Sequence, residues 1–569
     1  MEWTTACVDW AERLVARQSI IPPPIFPDEA ERALRIFKQL QVVDLGKTVW
    51  DDQMGQMRAP NFGECSEQFV FDFVAAIFGG YDAESGKQLI REFFLLISKK
   101  NTKSTIAAGI MLTAVILCWR DNEEHLILAP TKEVADNSFQ PAAAMVRADD
   151  ELSDIFHVQD HVRTITHRTT RASLKVVAAD TETVSGKKSG KILIDELWLF
   201  GKKPNASAML MEATGGQISR DEGWVILLTT EADEPPAGVF KEKLNYYRDV
   251  RDGIIVDPKS LGVLYEFPPD MVASKAYLDP KNFYITNPNI GRSVSQEWLE
   301  DNLRKNLPKT DGDLQKFLAK HLNVEIGLAL RSSAWAGAPH WLAQANPDID
   351  LDYLIAHCDV ITVGADGGGL DDLLGLSFVG RHRETRVWLM WNYAWAHPSV
   401  LERRKDIATH LKDFEDEGDM TLVNRVGDDV QELAAMVGKV YRACRLDKIG
   451  VDPSALGAIL DALAAEEIPE DKITGIPQNY KLQAAIKTTE RKLAGGELYH
   501  AGQPLMTWCV GNAKVETKGN AIYVTKQASG AAKIDPLMAS FNAIELMSRN
   551  PEAPGGLEDF LMNPLISGA

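Results

Sequence analysis

Short apolar runs, each stopping at a polar or turn residue, recur along the first half of the chain. They cover residues 93–97, 126–129 before Pro130, 174–178 before Asp180, 192–194 before Asp195, and 225–228 before Thr229-Thr230. Runs of this length with such boundaries predict strands buried on both faces. Helical periodicity fills several gaps, as over 132–147, and a long apolar helix is expected from Thr105 to Trp119. Strands alternating with helices imply a mostly parallel sheet, with functional groups just past the carboxyl ends of its strands. Upstream, 69–78 reads as an apolar helix stopped by Gly79-Gly80. Residues 10–20 read as a helix, broken at Pro22-Pro23-Pro24, and a second helix opens at Asp28-Glu29.

The pattern changes after Pro235-Pro236. Prolines recur, and helices are expected over 296–306 and 312–322. From Asp359 a new unit begins. Residues 360–365 read as a strand reaching Asp366, Gly367-Gly368-Gly369 as a turn, and 373–380 and 386–393 as two more strands of an antiparallel meander. Helix 398–414, strand 420–423, helix 428–443, strand 449–451 reaching Asp452, and helix 454–465 follow, and a last helix opens at Asp535-Pro536. A chain of 569 residues needs more than one core, since single cores stop growing near ~250–300 residues. The expected division is a helical N-terminal appendage (1–60), an α/β domain (61–270), a helical connector (271–350) and a mixed α/β domain (351–569).

Composition narrows the class. The six cysteines are scattered without paired spacing, which argues for a reducing compartment and against a disulfide framework or zinc knuckle. The N-terminus carries polar and acidic residues, unlike a signal peptide. The longest apolar run, 105–119, is shorter than the ~20 residues a membrane span needs, so a soluble cytoplasmic protein is expected. The net charge of −20 weighs against a nucleic-acid partner. Its distribution softens that objection: Arg163, Arg168, Arg171 and Lys175 cluster, Lys187, Lys188 and Lys191 follow, and acidic runs such as 413–419 lie in the other half. These basic residues are the candidate nucleic-acid contacts, weighed against a plain solvated face. His157 and His161 have helical i, i+4 spacing but no third ligand nearby, so a polar helix face is expected rather than zinc.

Candidate chemistry falls at strand ends. The run 93–97 leads through Ser98-Lys99-Lys100-Asn101-Thr102 to Lys103-Ser104 and the helix beyond. Strand, loop with Lys-Ser, then helix is the layout of a nucleotide phosphate cradle, in which loop amides and the helix N-terminus receive phosphate and the hydroxyl holds magnesium. The pattern Gly-x-x-x-x-Gly-Lys-Ser/Thr has lost both glycines: Ile97 and Thr102 stand in their places. Asp195-Glu196 ends the strand 192–194, supplying one carboxylate for magnesium and a second to position an attacking water. Thr229-Thr230 could sense the terminal phosphate and pass the change on. Gln68 is a candidate adenine contact.

In the second half, Asp366 and Asp452 end strands and Asp535 starts a helix. In a mixed α/β domain such carboxylates can converge on one sheet edge and hold the two divalent ions of a phosphodiester-cleaving site. Asp371 and Asp372, across the glycine turn, could add a fourth carboxylate. The competing reading makes Asp452-Pro453-Ser454 and Asp535-Pro536 helix caps with proline at the first helical position.

The chain resembles the large terminase subunit of tailed bacteriophages over roughly residues 60–550. The resemblance is carried by Lys99-Lys100-Asn101-Thr102-Lys103-Ser104, similar to that family's Arg-Lys-Asn-Gly-Lys-Ser. It continues in Ile194-Asp195-Glu196, Leu228-Thr229-Thr230, Asn287-Pro288-Asn289, Gly364-Ala365-Asp366 with Asp372, Asp452-Pro453 and Lys533-Ile534-Asp535-Pro536. It implies an N-terminal P-loop ATPase, a helical connector and a C-terminal ribonuclease-H-like nuclease. Nucleotide contacts would come from the loop 99–105 (Thr105 included) and Gln68, with Ser104 and Asp195 on magnesium and Glu196 as catalytic carboxylate. Asp366, Asp452 and Asp535, with Asp372, would hold two magnesium or manganese ions. The implied function is ATP-driven packaging of double-stranded DNA and cutting of concatemers, in the host bacterial cytoplasm. The implied partners are a small terminase subunit, the portal protein and a homo-oligomeric ring on the procapsid, and no membrane. Thr102 departs from the family pattern. A β-branched residue resists positive φ, so the loop is expected either to differ in shape or to need nucleotide for its order. Two alternatives stay open: a helicase- or repair-type ATPase whose second domain binds nucleic acid without cutting, and an assembly protein with a non-hydrolysing nucleotide site.

Overall fold

The apolar runs of the first half assemble into one eight-stranded sheet. Its strands are β1 (Glu92–Leu96), β2 (Glu124–Ala129), β3 (Phe156–Gln159), β4 (Thr164–His167), β5 (Ser173–Ala178), β6 (Lys191–Ile194), β7 (Trp224–Thr229) and β8 (Ser260–Leu264). They lie in the order β8-β1-β7-β6-β2-β5-β4-β3. All pairings from β8 to β5 are parallel, and the β5-β4-β3 edge is antiparallel. Parallel strands covered by crossover helices are buried on both faces, and every residue of β7 is buried. The structure, a computed structural model, describes residues 3–51, 55–179, 189–203, 205–308, 313–326, 335–405, 407–452, 456–518, 521–526 and 533–553. The chain divides into two compact units, Met1–Ile326 and Gly327–Ala569. Among the described residues no helix is long and apolar enough to cross a membrane.

The helices of the first unit include α1 (Trp10–Val15), α2 (Pro27–Gln39), α3 (Gln68–Phe78), α4 (Lys103–Ile116), α5 (Lys132–Arg147), α6 (Gly238–Arg251), α7 (Gln296–Asn306) and α8 (Asp313–Leu322). The N-terminal stretch is part of the core of this unit rather than an appendage. Ala33 and Phe37 of α2 are fully buried, and Phe37 stacks on Phe62 with centroids 4.2 Å apart. Gly109 of α4 makes room for the pair: a Cβ there would lie 2.7 Å from the Phe62 ring and 2.8 Å from that of Phe37. Likewise the 271–326 stretch, expected as connector, packs within the first unit. His157 sits in β3, so the helical spacing expected for His157 and His161 does not exist.

In the second unit the expected meander forms as β9 (Cys358–Gly367), β10 (Leu374–His382) and β11 (Trp388–Ala396). Added to it are β12 (Met420–Leu422), β13 (Leu446–Val451), β14 (Ile473–Gly475) and β15 (Leu498–His500). The order is β12-β11-β10-β9-β13-β14, with β15 also on β11. This antiparallel core with parallel flanks is the ribonuclease-H-like arrangement. Its helices include α9 (Asp428–Arg442), α10 (Leu456–Ala465) and α11 (Asp535–Met547). The helix expected over 398–414 is two, Ser399–Arg403 and Ala408–Asp416, because the chain leaves helical geometry at Arg404 (φ −122°, ψ 62°).

Helix α11 lies directly on β9 and β10, over a row of glycines. A Cβ on Gly364 would lie 2.0 Å from the Ala539 carbonyl oxygen, and one on Gly375 2.6 Å from Pro536 Cα. One on Gly367 would meet Asp535 Cβ at 3.1 Å. At Gly364 and Gly375 backbone meets backbone, so no side chain can yield. Gly364→Ala will therefore destabilise the second unit by at least the roughly 1–3 kcal/mol of core overpacking, read as a lowered midpoint of denaturant unfolding.

Candidate functional site

The sheet order of the first unit places the carboxyl ends of β1, β7 and β6 side by side. These ends carry Lys103-Ser104, Thr229-Thr230 and Asp195-Glu196, so residues far apart in sequence meet at one edge. The loop between β1 and α4 takes left-handed backbone at two non-glycine residues, Lys100 (φ 72°) and Thr102 (φ 59°). Thr102 thus takes the left-handed backbone that glycine would permit freely, at a cost of about 1–2 kcal/mol. What holds it is the segment Asn287-Pro288-Asn289. Asn289 Nδ2 donates to the Asn101 carbonyl (3.0 Å) and to Thr102 Oγ1 (2.9 Å), and Asn289 N–H donates to Asn101 Oδ1 (3.1 Å). Asn101 Nδ2 donates to the Ser98 carbonyl (3.0 Å) and to Asn287 Oδ1 (2.9 Å). Asn101, expected to touch nucleotide, is buried, and its amide staples the loop from behind. Asn289→Ala removes the side-chain donor to the Asn101 carbonyl and to Thr102 Oγ1, while its backbone N–H to Asn101 Oδ1 remains and Thr102 Oγ1 still donates to the Asn101 carbonyl (2.7 Å). We expect a loss of about 0.5–1.5 kcal/mol, measured by urea unfolding of the whole chain.

Lys99 N–H donates to the Lys320 carbonyl (2.8 Å), and the Lys100 carbonyl accepts from Ser293 Oγ (2.8 Å). Lys103 is buried, which lowers its pKa, and its Nζ lies 3.9 Å from Glu196 Oε1. Ser104 Oγ (3.3 Å) and Ser138 Oγ (2.7 Å) both donate to Asp195 Oδ2. Burial, reinforced by the Glu196 charge, raises the Asp195 pKa to about 6. A cation between these groups would offset both effects, and Ser104 with Asp195 is a hard-oxygen donor set of the kind magnesium takes. Glu196 has left-handed backbone (φ 51°), and Trp198 Nε1 donates to its Oε2 (2.5 Å). Thr229 Oγ1 accepts the Trp198 N–H (3.1 Å) and donates to the Thr230 carbonyl (2.9 Å). Thr230 Oγ1 donates to the Glu231 carbonyl (3.3 Å).

Beside the loop is a cavity of about 200 Å³ whose lining includes Val42, Val49, Phe62, Thr102, Thr105 and Arg292. Gln68, expected at the base, does not line it and donates to Asp72 Oδ1 (2.8 Å) on the surface of α3. The Thr105 hydroxyl donates to Asp44 Oδ2 (2.5 Å). Of the basic cluster, Arg163 is ion-paired with Asp136 (2.5 Å), whereas Arg168 and Arg171 are exposed in the turn between β4 and β5. Lys187 and Lys188 lie outside the described residues.

The second unit has a cavity of about 620 Å³ lined by Asp366, Asp452 and Asp535, with Gly367, Asp429 and Gln478 among its other walls. Topology explains the gathering. Ala365 of β9 pairs with Val451 of β13, so the next residues, Asp366 and Asp452, emerge from neighbouring strand ends. The glycine row lets α11 bring Asp535 to the same edge. Asp535 is the first residue of α11 rather than its cap, which is Ile534. A cap at Asp452 would rest on residues 453–455, outside the described ones. Asp372 departs from expectation: it does not line the cavity, and its carboxylate pairs with the buried Lys533 ammonium at 2.5 Å. Among the described residues no three acidic, His or Cys groups close on a single point. Each divalent ion would therefore take one or two carboxylates and complete its shell from water and phosphate oxygens.

Sequence reasoning passed over Ser138, Asn289, Trp198 and Lys320 as site residues. Asn287-Pro288-Asn289 was visible as a motif, but its role depends on a contact across almost 190 positions, which no local pattern carries.

Comparison with known proteins agrees with this layout. Residues 69–249 match the family model of the terminase large subunit ATPase domain, and residues 263–550 that of its endonuclease domain. The terminase large subunit of Lactococcus phage p2 is 24% identical over 491 residues, covering 82% of this chain and 84% of that protein. That of Enterobacteria phage HK97 is 22% identical over 518 residues, covering 88% and 94%. A crystal structure of the HK97 bacteriophage large terminase aligns over 91% of this chain and 99% of its own, at 19% identity and a TM-score of 0.45. The two family models together span most of the sequence, and the chain belongs to the terminase large subunit family, with an ATPase domain followed by an endonuclease domain.

Proposed function

We propose that the edge formed by β1, β7 and β6 hydrolyses ATP, and that the aspartate-lined cavity of the second unit cuts double-stranded DNA. The observation that carries the first site is the adjacency of three strand ends bearing Lys103-Ser104, Thr229-Thr230 and Asp195-Glu196. Lys103 moves from Glu196 to the phosphates of ATP, and the amides of 99–104 and the start of α4 receive phosphate oxygens. Ser104 and Asp195 hold magnesium. Glu196, released from Lys103, orients the attacking water and accepts its proton. Thr229 and Thr230 link this edge to the following segment and serve as the coupling element. The cavity lined by Val42, Val49 and Arg292 takes the nucleoside, in place of the contact expected from Gln68.

In the second unit Asp366, Asp452 and Asp535 hold two divalent ions, magnesium or manganese, which supply Lewis acidity and activated water when bound. The Lys533–Asp372 pair fixes the glycine turn beside them. Arg168 and Arg171, exposed in the turn between β4 and β5, are the candidate contacts of the first unit to a DNA backbone. The chain works as a DNA-packaging motor in the host bacterial cytoplasm. It forms a ring docked on the portal protein of a procapsid, with a small terminase subunit delivering the DNA. The test is to assay the pure chain for both activities. ATP turnover together with plasmid nicking in manganese is the expected result. Turnover without nicking would contradict the cutting role given to the aspartate-lined cavity.

A further inference from the structure

A water-orienting carboxylate needs one oxygen free for water and the other fixed by a partner that stays in place when substrate binds. Two groups meet the Glu196 carboxylate in this structure, and only one of them stays when substrate binds. Its Oε1 lies 3.9 Å from Lys103 Nζ, the group ATP draws away. Its Oε2 accepts from Trp198 Nε1 at 2.5 Å, and nothing in phosphate binding calls on an indole.

Trp198 is itself held from several sides. It is 7% exposed, its backbone N–H is anchored on Thr229, and Lys320 Nζ lies 2.9 Å from its ring centroid. A second cation, Lys202, is farther from the ring, at 5.1 Å, and is paired with Asp233 and Glu234. Lys320 is fixed in turn: its carbonyl accepts Lys99 N–H from the phosphate loop and its Nζ donates to the Glu231 carbonyl at 2.8 Å. Burial lowers the Lys320 pKa to about 7; in its protonated form the ammonium on the face of the indole is attracted by the ring and draws electron density toward it, favouring donation by the indole N–H. The same lysine therefore touches the phosphate loop, the partner of Glu196 and the end of the strand carrying Thr229.

We propose that Trp198 is the positioning residue that orients Glu196 for ATP hydrolysis, and that Lys320, reaching in from α8, clamps Trp198. This rests on the role of Glu196 given above. Neither residue touches ATP. Both set the direction of a carboxylate that does, and α8 becomes the element through which the loop and the glutamate are held in register.

The test uses the full chain, measuring steady-state ATP hydrolysis and binding of a fluorescent ATP analogue for Trp198→Phe, Lys320→Met, Lys320→Arg and, as control, Glu196→Gln. Trp198→Phe keeps an aromatic ring at the position and removes the donor, so kcat falls about 10²-fold, the size of effect for a misplaced reacting group. KM and analogue affinity stay at the values of the unaltered chain. Lys320→Met lowers kcat in the same way, and Lys320→Arg, which can stack its guanidinium on the indole, restores it. Unchanged kcat in Trp198→Phe, beside an inactive Glu196→Gln, overturns the proposal alone. An active Glu196→Gln overturns the assignment on which it rests. Loss of analogue binding along with kcat would show a structural role and equally overturn it.

Discussion

Replacing Glu196 with glutamine will lower kcat for ATP hydrolysis about 10²–10⁴-fold, the range for removing a proton acceptor from a transition state. Plasmid nicking in manganese without ATP will stay at the level of the unaltered chain. Glutamine preserves the size of the side chain and an oxygen for Trp198 Nε1, so the fold has no reason to change. Lys103 loses the anion 3.9 Å away, and its ammonium becomes, if anything, more available to phosphate. The check is steady-state turnover beside equilibrium binding of a nucleotide analogue. A variant that binds nucleotide and does not turn it over is the expected result, and one that keeps its kcat would put the proton acceptor elsewhere.

The second large effect belongs to the other unit. Asp366→Asn will abolish nicking, by more than the roughly 10–100-fold that removing mere outer-shell partners of a metal costs, and leave ATP turnover intact. Asp366 emerges between β10 and β13, opposite Gly375 and beside the end of the strand that leads to Asp452. Asparagine fits the same space but contributes no charge to a divalent ion. Gel assay of supercoiled plasmid in magnesium and in manganese, with ATPase rate measured on the same preparation, separates the two sites. Loss of both activities would mean that one substitution disturbs the whole chain.

The strands that carry chemistry were legible because their signal is local: an apolar run, then a polar residue. Ile192 to Ile194 followed by Asp195-Glu196 could be read without knowing its neighbours, and so could the glycine turn after Asp366. The sheet order could not. That β7 stands between β1 and β6 decides whether Thr229, Lys103 and Asp195 meet, and it depends on long-range pairing. Thr102 is the instructive case. Its propensity argues against positive φ, and the structure places it there because Asn289, in a segment that reads as a connector, holds the loop from outside. Tertiary hydrogen bonds outweigh a local cost of about 1–2 kcal/mol. The N-terminal residues misled for the opposite reason. The stripe Ala30, Ala33, Phe37 is a short amphipathic face, and only the gap at Gly109 shows that it is buried. Asp372 and Asp535 looked alike as aspartates near glycine or proline. Lys533 takes the first into an ion pair, and α11 delivers the second to the cavity.

Two separate metal-dependent phosphate chemistries, one at each sheet edge, are assigned to this one chain. A crystal structure with manganese and a non-hydrolysable ATP analogue, using the anomalous signal of the ion, tests both at once. The expected map has analogue phosphates in the loop at Lys103, manganese between Ser104 and Asp195, and two further manganese peaks in the cavity among Asp366, Asp452 and Asp535. Phosphates bound away from Lys103, or a cavity with no manganese at saturating ion, would contradict that assignment.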